Sequence, residues 1–77
     1  MVEAYVLIQA EVGMAEQVWE DVGKIGGVRS ANVVAGPYDV IARVESTNID
    51  ELGKLVVTTI QGVKSITRTL TCPVVRL

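Results

Sequence analysis

The hydrophobic pattern of this chain switches between the two-residue alternation of a strand and the roughly 3.6-residue repeat of a helix, in the order strand, helix, strand, strand, helix, strand. Residues 3–12, E-A-Y-V-L-I-Q-A-E-V, alternate: Ala4, Val6, Ile8 and Ala10 face one way, and Tyr5, Leu7 and Gln9 the other. Gly13 breaks the run, and Glu16 three residues later reads as a weak capping box. Ala15, Val18, Trp19, Val22 and Ile25 then recur at helical spacing, opposite Glu16, Gln17, Glu20, Asp21 and Lys24, until Gly26-Gly27 stops the helix. Residues 28–35 and 38–45 read as strands around Gly36-Pro37. Asn48 is a good N-cap with Glu51 at the third helical position, and Ile49, Leu52, Val56, Thr59 and Val63 mark the buried stripe of a second helix, widened by Leu55 and Ile60. A last strand runs from about Ile66 to Val75, with its threonines on one face and Leu70 and Cys72 on the other.

The two halves rhyme, Ile25-Gly26-Gly27-Val28 with Val63-Lys64-Ser65-Ile66. Two βαβ halves of this kind make an α+β, ferredoxin-like βαββαβ sandwich: an antiparallel four-stranded sheet with both helices on one face. The other face is expected to carry Tyr5, Leu7, Gln9, Val33, Ile41 and the threonines, which is too apolar for free solvation. A second copy of the sheet is the economical cover, giving an isologous dimer packed sheet on sheet, a dimeric α+β barrel.

Size and composition point the same way. A chain of 77 residues holds one domain, residues 1–77, with a small core, and such domains lean on disulfides, metals or association. Cys72 is the only cysteine and there is no histidine, so an internal disulfide, thiol–imidazole metal sites and Cys/His or Ser/His nucleophile pairs fall away. Association remains, and it suits a chain that is 49% hydrophobic. Lys24, Arg29, Arg43, Lys54, Lys64, Arg68 and Arg76 are scattered singly and the net charge is −2, which argues against direct nucleic-acid binding. No segment approaches a membrane span, and the start of the chain lacks a signal-peptide pattern, so an intracellular, cytoplasmic protein is expected.

Chemistry is sparse. Glu16, Glu20, Asp21, Asp50 and Glu51 fall on solvated helix faces or first turns, where general acid–base work finds no shelter. Trp19 reads as core, Cys72 as a packed thiol, and Gly26-Gly27 as a helix stop rather than a phosphate loop. No catalytic residue, metal ligand or cofactor site is expected. Two features stay open. The row Thr67, Thr69, Thr71 suits a pleated surface, yet hydroxyls in line can also bind a small polar ligand. Gly36-Pro37-Tyr38-Asp39 makes a hairpin, yet a plain reversal needs neither the tyrosine nor the acid. Asp39 can cap backbone N–H groups or meet a ligand's ammonium, and Tyr38 can wall a pocket.

G-P-Y-D-V-I-A-R-V-E, with T-R-T-L-T-C-P-V-V downstream and A-Y-V-L-I-Q at the start, resembles the effector-binding domain of the Lrp/AsnC family, also called the RAM (regulation of amino acid metabolism) domain. The resemblance covers essentially the whole chain. It implies sheet-to-sheet dimers assembled into octamers or similar rings, and a small-molecule effector, typically an amino acid, between dimers. It further implies a site at Gly36, Pro37, Tyr38 and Asp39 of one copy and Thr69 and Thr71 of another. Full-length members carry an N-terminal helix-turn-helix domain, whereas the first strand here begins at residue 3, so the chain resembles the stand-alone form, acting on transcription through DNA-binding relatives. The family usually has glycine where this chain has Ser65, with only a local effect expected. Two other classes compete: an ACT-like regulatory subunit, whose side-by-side sheets leave the apolar face unexplained, and a small dimeric α+β-barrel enzyme, which generally needs an acid–base residue or cofactor. Solution mass separates them, since an enzyme of that kind is content with a dimer and the RAM reading expects rings.

Overall fold

In the computed structural model, which describes residues 1–77, the elements follow the expected order: β1 (Val2–Ala10), α1 (Ala15–Gly23), β2 (Val28–Val33), β3 (Val40–Ser46), α2 (Ile49–Lys54), which continues as a π-helix over Leu55–Ile60, and β4 (Ile66–Pro73). The sheet is antiparallel with order β2-β3-β1-β4, so β2 and β4 are its edges. Both helices cover one face. Between them lies a core of Ala4, Val6 and Ile8 from β1, Val40, Ala42 and Val44 from β3, Val18 and Val22 from α1, and Leu52, Val56 and Ile60. It contains no polar side chain. Strand alternation puts every second residue of β1 and β3 into it.

The helix ends differ in quality. Asn48 caps α2 as expected, its Oδ1 accepting from Glu51 N–H at 2.9 Å. At α1 the expected capping box does not form, because Met14 occupies the cap and no side chain bonds there. Gly27 takes φ +95°, and its C=O accepts from Glu45 N–H at 2.8 Å. A Cβ there would stand 3.2 Å from the Glu45 carbonyl and 2.9 Å from Leu55 Cδ2, so the tight crossing needs glycine.

Four expectations are corrected by the packing. Trp19 is 39% exposed: it lies over the outer edge of β2 with its indole N–H donating to Ala31 C=O at 2.7 Å. The buried stripe of the second helix runs Leu52, Val56, Ile60, with Thr59 and Ile49 turned outward. The π-helix explains this. Gln61 N–H reaches back five residues to Val56 C=O at 2.9 Å, so the wide turn moves the inward position from residue 59 to residue 60. The run L-V-V-T-T-I crowds β-branched side chains, and the Thr58 hydroxyl donates to Lys54 C=O, both of which disturb regular α turns.

The third and fourth corrections concern sides of the sheet. Val33 pairs with buried Val40, and Thr69 and Thr71 pair with buried Ile8 and Val6. Cross-strand partners share a face, so Val33, Thr69 and Thr71 lie on the helix side, not on the open one. Arg68, Leu70 and Cys72, opposite Gln9, Leu7 and Tyr5, are the residues of β4 on the open face.

Candidate functional site

The connection between β2 and β3 is held from its acidic end. Val34 N–H donates to Asp39 C=O, and Asp39 N–H to Ile8 C=O, each at 2.9 Å. The last ladder pair between β1 and β3 is Ile8 with Val40. Asp39 extends that ladder by a side-chain rung: its Oδ2 accepts from Ala10 N–H at 2.8 Å. Ala10 N–H lies just past the end of the β1–β3 ladder, where a backbone donor would otherwise lack a partner. Oδ1 lies outside that bond. Tyr38 is half-buried beside it, and Gly36 and Pro37 are exposed at the tip.

Thr69 and Thr71 open on a different place. They line a groove of about 290 Å³ between β4 and the second helix, together with Gln61, Ile49, Leu52, Gly53, Val56, Val57 and Pro73. Its lining side chains are mostly hydrocarbon, and the polar ones are Gln61 and the two threonines. Gln61 Nε2 donates to Thr69 Oγ1 at 3.0 Å. Thr67 points elsewhere: its hydroxyl donates to Gln9 C=O at 3.1 Å across the register shift. Gln61 was not among the expected site residues, since only the π turn brings it against Thr69 and nothing in its sequence neighbourhood marks that.

The turn and the threonines share one end of the sheet but flank opposite sides of β1. Asp39 bonds Ile8 from the β3 side, and Thr69 pairs with Ile8 from the β4 side. Two strand spacings, about 10 Å, separate the two backbones, and the threonine groove contains no residue of the turn. Within one chain the six expected site residues therefore fall into two separate groups. No three Asp, Glu or Cys side chains converge as metal ligands.

The open face of the sheet is apolar in the middle, with an ion-pair network at one end and Gln9 and Arg68 at the other. Tyr5, Leu7, Ile41, Leu70 and Cys72 make the middle. At the first end, Glu3 and Glu45 are direct cross-strand partners, a like-charge pairing that Arg43 bridges at 3.7 and 3.3 Å. Arg76 joins Glu3 at 3.3 Å and Arg29 joins Glu45 at 3.6 Å. No helix is long and apolar enough to cross a membrane.

The family model described as the Lrp/AsnC ligand binding domain matches residues 3–77. A helix-turn-helix-type transcriptional regulator of Pyrococcus furiosus is 34% identical over 71 residues, covering 88% of this chain and 47% of the regulator. The chain thus spans about half the length of the curated relatives it matches. Among solved structures, a protein of Thermus thermophilus superposes with a TM-score of 0.93 at 28% identity, over 100% of this chain and 96% of that one. A transcriptional regulator of Neisseria meningitidis in complex with L-Met superposes with a TM-score of 0.85 at 16% identity, over 97% of this chain and 50% of that one, which is a likeness of fold.

Proposed function

The chain belongs to the Lrp/AsnC ligand-binding domain family, and from that premise we propose that it is an amino-acid-sensing and oligomerisation domain. It acts on transcription through assembly with helix-turn-helix regulators of the same family. The observation that carries the reading is the division of the site. The turn Gly36–Asp39 and the groove at Thr69 and Thr71 carry complementary groups, a carboxylate on one side and hydroxyls on the other, on opposite flanks of β1. A ligand that meets both needs the turn of one copy set against the β4 groove of the next. β4 is an edge strand, so that groove is open to a neighbour. The open sheet faces pair into dimers, and the edges then join dimers into a ring with a site at each junction. The complex of the Neisseria regulator with L-Met supports an amino acid as the ligand class, and a groove of about 290 Å³ lies at the small end of ligand pockets.

In this scheme the domain touches no DNA itself. Arg29, Arg43, Lys54 and Arg76 are engaged with Glu3, Glu45 and Glu51, and the chain offers no contiguous cationic face of the kind that neutralises phosphates.

Thermal-shift screening against the twenty amino acids is the first test. A ligand that raises the melting temperature should also change the mass seen by light scattering. Calorimetry then uses Thr71→Val and Asp39→Asn, the latter keeping an acceptor for Ala10 while removing the charge. Losing a charged hydrogen bond costs about 1.5–3 kcal/mol, on the order of ten- to a hundred-fold in affinity. If both variants bind as the unsubstituted protein does, the site lies elsewhere.

A further inference from the structure

Three facts meet at Gln61. The side-chain amide nitrogen of a glutamine has protons and no lone pair to offer, so in the contact with Thr69 it is the donor and the hydroxyl oxygen accepts, at 3.0 Å. A threonine hydroxyl that accepts there keeps its own O–H free to donate in another direction, and Thr69 borders the groove as well as a polar gap beside Arg68. Finally, Gln61 reaches this position because the chain turns through a π-helix immediately before it, with Gln61 N–H bonded to Val56 C=O. Single π turns are costly, β-branched residues make this one more so, and such turns concentrate at functional sites.

We infer that the groove takes the carboxylate of an amino acid with a hydrocarbon side chain, and that Gln61 is a positioning residue which holds the Thr69 hydroxyl turned outward as a donor to that carboxylate. The inference rests on the proposed effector site at Thr69 and Thr71 and adds what the site selects. The hydrocarbon part of the ligand follows from the walls. Leu52 and Val56 form a buried floor, while Ile49 and Val57 stand exposed at 57% and 63% beside Gly53, where a Cβ would meet nothing within 4 Å. Large apolar side chains left open around a gap are the surface that a ligand's own apolar group covers. No charged side chain lines the groove, so nothing there matches a charged ligand side chain.

The test measures binding of L-leucine, L-methionine, L-aspartate, L-lysine and the amino alcohol leucinol by calorimetry. The proteins are the unsubstituted chain, Gln61→Glu, Gln61→Leu and Thr69→Val. A carboxylate at position 61 can only accept, so it draws the Thr69 proton to itself and leaves a lone pair facing the ligand. Gln61→Glu should then lose about tenfold or more in affinity for leucine. It should lose less for leucinol, whose hydroxyl can donate where a carboxylate cannot. Gln61→Leu adds no charge and should lose several-fold, again more for leucine than for leucinol. Gln61 is exposed, so the melting temperature without ligand should stay within about a degree or two; a residue that merely supports the fold would shift it. Leucine and methionine should bind ahead of aspartate and lysine. If Thr69→Val abolishes binding while both Gln61 variants keep it, or if they lose leucine and leucinol equally, Gln61 does not position the hydroxyl and the effector site still stands. If Thr69→Val binds normally, the site reading fails and the inference with it. Binding of aspartate or lysine in preference to leucine and methionine overturns the hydrocarbon assignment.

Discussion

Asp39 has a structural duty as well as a proposed binding one, and the two can be separated. Asp39→Ala leaves Ala10 N–H, part-buried, without its acceptor. An orphaned buried donor costs about 1–3 kcal/mol, so the ligand-free protein should unfold at lower denaturant, with Asp39→Asn falling between the two. Equal midpoints for all three would mean that Ala10 finds water instead. Ser65 gives the opposite sign. It holds φ +73°, where a side chain is strained, and its C=O accepts Glu11 N–H at 2.9 Å. Ser65→Gly should relieve about 1 kcal/mol of that strain, raising the melting temperature by roughly 4–8 °C for a domain of this size. No change would show that the entropy regained by the unfolded chain cancels the relief. At this scale the sequence was readable in part. An acid behind Gly-Pro signals that something is being held, but Ala10, its partner 29 positions away, is supplied only by the register of β1 on β3.

Periodicity specifies elements well and their sides less well. The strand and helix order, the antiparallel four-stranded sheet and the Asn48 cap were all legible, because each follows from spacing within a dozen residues. Alternation in β4 separates threonines from Leu70 and Cys72, yet does not say which set faces the helices. Apolarity favours the wrong set, since the open face is itself apolar and the groove beside the edge strand is only partly covered. Helical periodicity failed at Thr59 for another reason: it assumes α spacing, and the π turn changes the spacing midway. Trp19 shows a third limit, since an aromatic in an apolar stripe can cover an edge instead of entering the core. Trp19→Phe keeps the ring and removes the bond to Ala31 C=O. Stability should fall by about 0.5–1.5 kcal/mol, and the uncovered carbonyl on edge strand β2 should increase association at high concentration. Unchanged unfolding by denaturant, with no new species in sedimentation, would show that the indole contact is incidental.

At the scale of the molecule, one face of the sheet packs the core and the other stands open, the face proposed above as the interface between copies. The core is built from 11 buried residues, all on the helix side, a small reserve for a domain whose ordering entropy grows with every residue. The open side carries Tyr5 and Leu70 at 45% and 46% exposure with Leu7, Ile41 and Cys72 between and beside them. Packing this surface against a second copy removes apolar area from water on both chains at once, which contributes roughly 25 cal/mol per Å² before the cost of association. The bridged pair Glu3–Arg43–Glu45 at one end would constrain an isologous contact, which must satisfy those charges twice or leave them at the rim. Leu7 and Leu70 are direct partners across β1 and β4, so Leu70→Glu puts a charge beside Leu7 on the open face without touching the core. The unsubstituted protein should run as a dimer or a multiple of dimers at micromolar concentration. Leu70→Glu should run as a monomer with unchanged far-ultraviolet circular dichroism, and should lose amino-acid binding as well, because the proposed site needs a second copy to complete it. A monomer before substitution, or a Leu70→Glu protein that keeps its mass, would remove the open face as the interface and with it the composite site.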